Sequence, residues 1–133
     1  GAVLRARSPH VRLLGVQSVE TRAMYEAFQA GHVVDVPVTP TLADGLAGCT
    51  DDNAFRAVRA VLDDLVLVGE TEIGEAIRLL YQRDGVVAEG AAAVVAAALL
   101  SGRVSPAGTT ALVVSGGNID GARLARILSP SLS

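Results

Sequence analysis

Ten consecutive apolar residues, Ala91 to Leu100, constrain this chain more than any other segment. Crossing a bilayer takes roughly 20 apolar residues, so the run is too short to span one. A helix that is apolar all round is instead a buried helix, wedged between a sheet and another layer. Glu89 and Gly90 introduce it. Half of the 133 residues are apolar, yet only 3% are aromatic and tryptophan is absent, so the core around that helix has to be aliphatic. A chain of this length makes one domain and buries a real core.

Elements before and after the run alternate in type. Ala2 to Arg7 reads as the tail of a helix, stopped by Ser8 and Pro9, and Val11 to Val16 as a buried strand. Glu20 to Ala30 reads as a helix with Met24, Ala27 and Phe28 on one face, and Gly31 stands where a left-handed C-cap is wanted. Val33 to Val36 is a short extended piece ended by Pro37 and Pro40, and Thr41 to Gly48 is an irregular loop. From Asp51, residues Ala54, Phe55, Val58, Val61 and Leu62 follow helical spacing. Leu65 to Val68 reads as a strand. Thr71 then caps a helix presenting Ile73, Ala76, Ile77 and Leu80 and ending at Gly85. Thr110 to Val114 reads as the last strand and Ala122 to Leu128 as the last helix. Strands alternating with helices of this length predict an α/β fold, an open and mostly parallel sheet with helices on both faces in three layers.

Charge narrows the partners. The net charge is −3, and eleven arginines are dispersed without a basic cluster, so no nucleic-acid footprint is present. The lone Cys49 excludes a disulfide framework and a cysteine zinc site, and fits a reducing compartment. With no secretory leader legible at the start and no membrane span, the expected address is the cytoplasm.

Chemistry concentrates in Leu112-Val113-Val114-Ser115-Gly116-Gly117-Asn118-Ile119-Asp120. An apolar β-branched run stops at a serine, two glycines turn the backbone, and a helix pattern follows. Such a turn has a bland reading, a strand-to-helix connector whose polar residues cap the helix. Its functional reading puts the Ser115 hydroxyl at the carboxyl end of a strand, where open α/β sheets bind ligands, facing a heterocyclic nitrogen or an anion. Glu89 also has two readings, a helix-start carboxylate that caps free amides and favours the dipole, or a pocket residue. The pairs Asp51-Asp52 and Asp63-Asp64 lie at helix ends and read as caps or solvated charges. His10 and His32 fall in turns without a partner at ligand spacing.

Five collinear strings change the balance: LLGVQS (13–18), TLADGLAG (41–48), LDDLVLVGETEI (62–73), VVAEGAAA (86–93) and VVSGGNID (113–120). Together they resemble the threonine/serine dehydratases, pyridoxal-phosphate enzymes of the tryptophan-synthase β-subunit fold, and most closely the short catabolic threonine dehydratases. The resemblance implies that residues 1–133 are the C-terminal part of the large catalytic domain. Ser115 matches the serine that hydrogen-bonds the pyridine nitrogen, with Gly116 beside it. Gly45 matches a backbone position lining the cofactor pocket, Glu89 an acidic residue near the ring, and Asn118 a position associated with nucleotide effectors in catabolic members. Relatives that bind a divalent cation do so through acidic residues at places held here by Gln17 and Ala23, so no metal site is expected.

The resemblance also implies what lies elsewhere. Family members bind the cofactor as a Schiff base with a lysine, and this chain has none. That lysine and the glycine-rich phosphate loop lie upstream in the family, so the chain alone carries no catalytic residue and is expected to be inactive. The implied reaction of the whole enzyme is β-elimination of the hydroxyl from L-threonine or L-serine, giving a 2-oxo acid and ammonia. Within the same fold, a hydroxyectoine-pathway dehydratase is the alternative substrate assignment. A non-catalytic binding or assembly module is the alternative class. A half-domain of this kind is expected to expose sheet edges and part of the alanine-rich helix, and so to self-associate or to depend on an N-terminal half.

Overall fold

The computed structural model describes residues 1–129. Its helices are α1 (Ala2–Arg7), α2 (Ala23–Ala30), α3 (Asp52–Val61), α4 (Glu70–Asp84), α5 (Gly90–Leu100) and α6 (Gly121–Leu128), and its strands are β1 (Leu14–Ser18) and β2 (Asp64–Val68). The strands pair in parallel, Leu14 opposite Asp64 and Ser18 opposite Val68. Parallel neighbours need a crossover, and α2 and α3 supply it. None of these helices is long and apolar enough to cross a membrane.

The alanine-rich helix is the centre of the packing. α5 contacts β1 and β2 on one side and α4 on the other. Ala92, Ala93, Val94, Ala96, Ala97 and Ala98 are all buried, and all but Ala92 share one cluster with Val68, Ile73, Ala76 and Ile77. Val66 and Val68 point into that cluster, whereas the buried Leu65, offset by one, alternates to the opposite face. Helix α2, which contacts β2 and α3, covers that second side. The helix between layers, inferred from ten residues of sequence, is therefore where it was expected. Its cover is incomplete: Ala91, Val95 and Leu99 are half-buried and Leu100 is exposed.

Several boundaries move, each for a local reason. β1 starts at Leu14 rather than Val11 because residues 8–11 form a turn, with the Val11 amide donating to the Ser8 carbonyl. Val19–Thr21 form a separate 3₁₀ turn, started when the Ser18 hydroxyl accepts the Glu20 amide, so α2 opens only at Ala23. Thr71 is not the cap of α4; Gly69 holds that position, and Glu72 reaches back to accept the Gly69 amide at 2.5 Å. Gly31 and Gly85 do close α2 and α4 in left-handed backbone, at φ 80° and 67°. The largest departure is residues 110–114, which pair with no strand among the described residues. A strand is defined by its neighbour's hydrogen bonds, and this segment, with Val113 74% exposed, has no neighbour here.

Candidate functional site

Three stretches far apart in sequence meet at the N-terminus of α5. The Glu89 amide donates to the Gly116 carbonyl at 3.0 Å. In return, Glu89 Oε2 accepts the Asn118 amide at 3.0 Å. The two bonds lock the 115–118 turn onto the start of α5. Glu89 is the N-cap residue of α5, yet its carboxylate makes no capping bond to that helix. Of the two readings of this side chain, the cap fails and the carboxylate is turned toward the glycine turn instead.

Glycines make this approach possible. A Cβ built on Gly116 would lie 2.4 Å from Glu89 Oε1, and one on Gly117 would lie 2.7 Å from the Val87 carbonyl oxygen. The third stretch is the loop 41–48, which carries a 3₁₀ turn at Asp44–Leu46. A Cβ on Gly45 would lie 3.0 Å from Ala91 Cβ and 3.7 Å from Glu89 Oε1. Gly90 is tighter still, since a Cβ there would fall 1.9 Å from the Leu42 carbonyl oxygen. Gly45, Glu89, Gly116 and the Asn118 main chain therefore occupy one place. Ser115 adjoins it and is exposed.

Sequence reasoning overlooked the carboxylate that anchors this loop. Glu70, the first residue of α4, accepts the Ser18 hydroxyl at 2.6 Å and the Thr41 hydroxyl at 2.7 Å on Oε1. Its Oε2 accepts the Leu42 amide at 2.6 Å. The Ala43 amide in turn donates to Thr41 Oγ1 at 2.9 Å. The only available signal was an acidic residue placed directly after a strand, in the string Val68-Gly69-Glu70. Beyond the loop, a cleft of about 450 Å³ is lined by Pro40, Thr41, Leu42, Glu70, Arg123 and Arg126 of α6, and Ile127; its lining excludes Ser115, Gly116 and Glu89.

The remaining sequence candidates separate cleanly. Asp51 caps α3 by accepting the Ala54 amide at 2.7 Å, and Asp120 caps α6 by accepting the Arg123 amide at 2.9 Å. Asp63 is no cap; the Leu13 amide and then the Arg5 guanidinium hold its carboxyl below the usual value. Gln17 Oε1 accepts the Tyr25 amide at 2.7 Å, so that oxygen serves the start of α2.

Comparison with known proteins gives the family. Residues 1–116 match the family described as pyridoxal-phosphate dependent enzyme, and the chain belongs to it. An L-threonine ammonia-lyase of Geobacter sulfurreducens is 45% identical over 119 residues, 88% of this chain and 30% of that protein. The catabolic L-threonine dehydratase of Escherichia coli is 39% identical over 128 residues, 93% of this chain and 39% of that protein. Among solved structures, a T.th. threonine deaminase superposes with a TM-score of 0.80 at 32% identity, covering 88% of this chain and 43% of that one. Maize serine racemase gives 0.82 at 30% identity, covering 92% and 40%. The chain thus spans 30–39% of the length of these curated relatives, and its two strands and flanking helices belong to the tryptophan-synthase-β-like α/β fold.

Proposed function

We propose that this chain forms the pyridine-nitrogen end of the cofactor site of an L-threonine/L-serine ammonia-lyase. The observation that carries the reading is the convergence of Gly45, Glu89 and Gly116, each singled out by a separate string. The residues suit a ring nitrogen at their edge: the glycines bring the 115–118 turn onto Glu89, and the Ser115 hydroxyl beside them is exposed. When bound, pyridoxal phosphate supplies an electron sink that eases loss of an α-proton and departure of a β-hydroxyl.

In this reading Ser115 donates its neutral hydroxyl to the ring nitrogen. Unlike a carboxylate, a hydroxyl does not stabilise a proton on that nitrogen, so the site favours elimination over transamination. Gly116 and Gly45 let the 115–118 turn and the 41–48 loop close on Glu89 and Ala91, and Glu89 fixes the 115–118 turn through the Asn118 amide. Asn118, a candidate effector contact, offers its exposed side chain at the same turn. The chain has no lysine, so the amine that holds the cofactor comes from another segment of polypeptide. The exposed Cys49 supports a reducing, cytoplasmic setting.

The experiment is to incubate the native gene product and residues 1–133 separately with pyridoxal phosphate and L-threonine or L-serine. The native product is expected to release 2-oxo acid and ammonia. Residues 1–133 are expected to release neither and to give no borohydride-trapped adduct on a defined side chain. Leu112, 40% exposed, and Val113 leave apolar surface that supports self-association or docking of a further segment. A clean monomer of 1–133 in sedimentation would remove that part of the reading.

A further inference from the structure

The loop that brings Gly45 to Glu89 has few bonds of its own. Between Thr41 and Gly48 the main chain closes only the short turn in which the Leu46 amide meets the Ala43 carbonyl and the Ala47 amide meets the Asp44 carbonyl. Ala43 is buried in the core, with Leu42 and Leu46 packed against it, and the polar tie of the loop to the body of the fold runs mainly through one carboxylate. We propose that Glu70 is the positioning residue of this site, holding residues 41–45 so that Gly45 stays against Glu89 and Ala91. The inference rests on the cofactor reading above.

Geometry supports the role in three ways. First, Glu70 receives three donors from two other parts of the chain: Ser18 at the end of β1, and Thr41 and Leu42 in the loop. Hydrogen bonds to a charged acceptor are about twice as strong as neutral ones, so this tie outweighs the loop's other hydrogen bonds. Second, the tie acts where displacement matters. The Leu42 carbonyl rests on Gly90 with no room for a Cβ, so a loop that shifts at Leu42 shifts against the first residue of α5. Gly45 follows Leu42 by three residues. Third, the remaining brace is weak: Arg123 pairs with Asp44 at 3.0 Å, but both side chains are substantially exposed. Pairs of that kind contribute little.

Neither Ser18 nor Thr41 has chemistry to perform in this arrangement. Ser18 is fully buried and spends its hydroxyl on Glu70 and on the Glu20 amide. Thr41 hands Glu70's hold onward, because its Oγ1 also accepts the buried Ala43 amide. The hydrogen-bonded chain therefore runs Glu70, Thr41, Ala43, and the backbone then carries Gly45 to its place beside Glu89 and Ala91.

The test compares wild type, Glu70→Gln, Thr41→Val and Thr41→Ser in the native gene product. Amide exchange is read residue by residue, and pyridoxal phosphate is titrated by fluorescence and by its visible circular dichroism. In Glu70→Gln and Thr41→Val, exchange at the hydrogen-bonded amides of Leu42, Ala43 and Leu46 should quicken about tenfold or more, while exchange in α4 and α5 stays at the wild-type rate. Cofactor affinity should fall by a similar factor and the dichroic band should change, with Thr41→Ser restoring both. If Glu70→Gln does not fold, Thr41→Val carries the comparison, since it keeps the carboxylate. Loop exchange that stays at the wild-type rate, or quickened exchange with unchanged affinity and dichroism, overturns the positioning role and leaves the cofactor reading standing. A wild-type protein that takes up no cofactor overturns the reading itself, and this role with it.

Discussion

Glu89 and Asn118, 29 residues apart in sequence, are joined by a 3.0 Å hydrogen bond from the Asn118 amide to the Glu89 carboxylate. The bond runs beside a second one, from the Glu89 amide to the Gly116 carbonyl. Two bonds of opposite sense between the same pair of segments fix both distance and orientation. The glycine turn is thereby placed by α5 rather than by the unpaired segment that precedes it.

Ser115→Asp tests the proposed nitrogen contact. A carboxylate there would stabilise a protonated ring nitrogen, so elimination from L-threonine should fall by about 10- to 100-fold while cofactor stays bound. Ser115→Ala should cost less. Steady-state kinetics on both variants check the order, and equal rates for wild type and Ser115→Asp would discard the contact.

Gly90→Ala and Gly116→Ala should separate stability from site geometry. The Gly90 methyl would strike the main-chain carbonyl of Leu42, which cannot rotate away, and overpacking of that kind costs about 1–3 kcal/mol. The Gly116 methyl would strike the end of the Glu89 side chain, which can swing aside. Denaturant unfolding should therefore record a clear loss for Gly90→Ala and a smaller one for Gly116→Ala. Cofactor affinity should fall in both.

Acid should loosen the start of α4. The Gly69 amide, and secondly Arg103, hold the Glu72 carboxyl below its ordinary 4.5 against an opposing effect of burial. Asp63 is likewise held below its ordinary 3.8, first by the Leu13 amide. A depressed folded-state pKa stabilises above the unfolded value and loses that contribution as pH falls through the folded one. Melting curves should hold steady from neutrality to near pH 5 and decline below it. Glu72→Gln should flatten that decline.

The position occupied by Gln17 should bind no divalent ion. Its amide oxygen is committed to the Tyr25 amide, and a hard cation prefers carboxylate oxygens. Elemental analysis of the native gene product after dialysis against magnesium or calcium is the check. A stoichiometric ion lost on Gln17→Ala would refute it.

Helices were the legible part of this fold. Their apolar spacing is local, and Gly31 and Gly85 mark two of their ends in sequence as in space. The β-branched content of residues 110–114 predicts a strand, but pairing is a property of two segments, and no strand among the described residues pairs with them. For the site, the glycines and Glu89 were legible through their strings. Glu70 was not, because its partners lie 52, 29 and 28 residues away and nothing in the local pattern names them.

Helix α5 brings little but methyl groups to its buried faces, with Ala93, Ala96, Ala97 and Ala98 in the cluster shared with α4 and β2. It therefore works as a shim, whose thickness sets how far apart two layers stand. Interiors are too densely packed to absorb an added methylene locally, so enlarging Ala96 or Ala97 would push the whole helix. Glu89 stands at its end and would travel with it. The aim of the polar site is thus governed by side chains with no chemistry of their own, and sequence drift along α5 would register at Glu89 as a change of address.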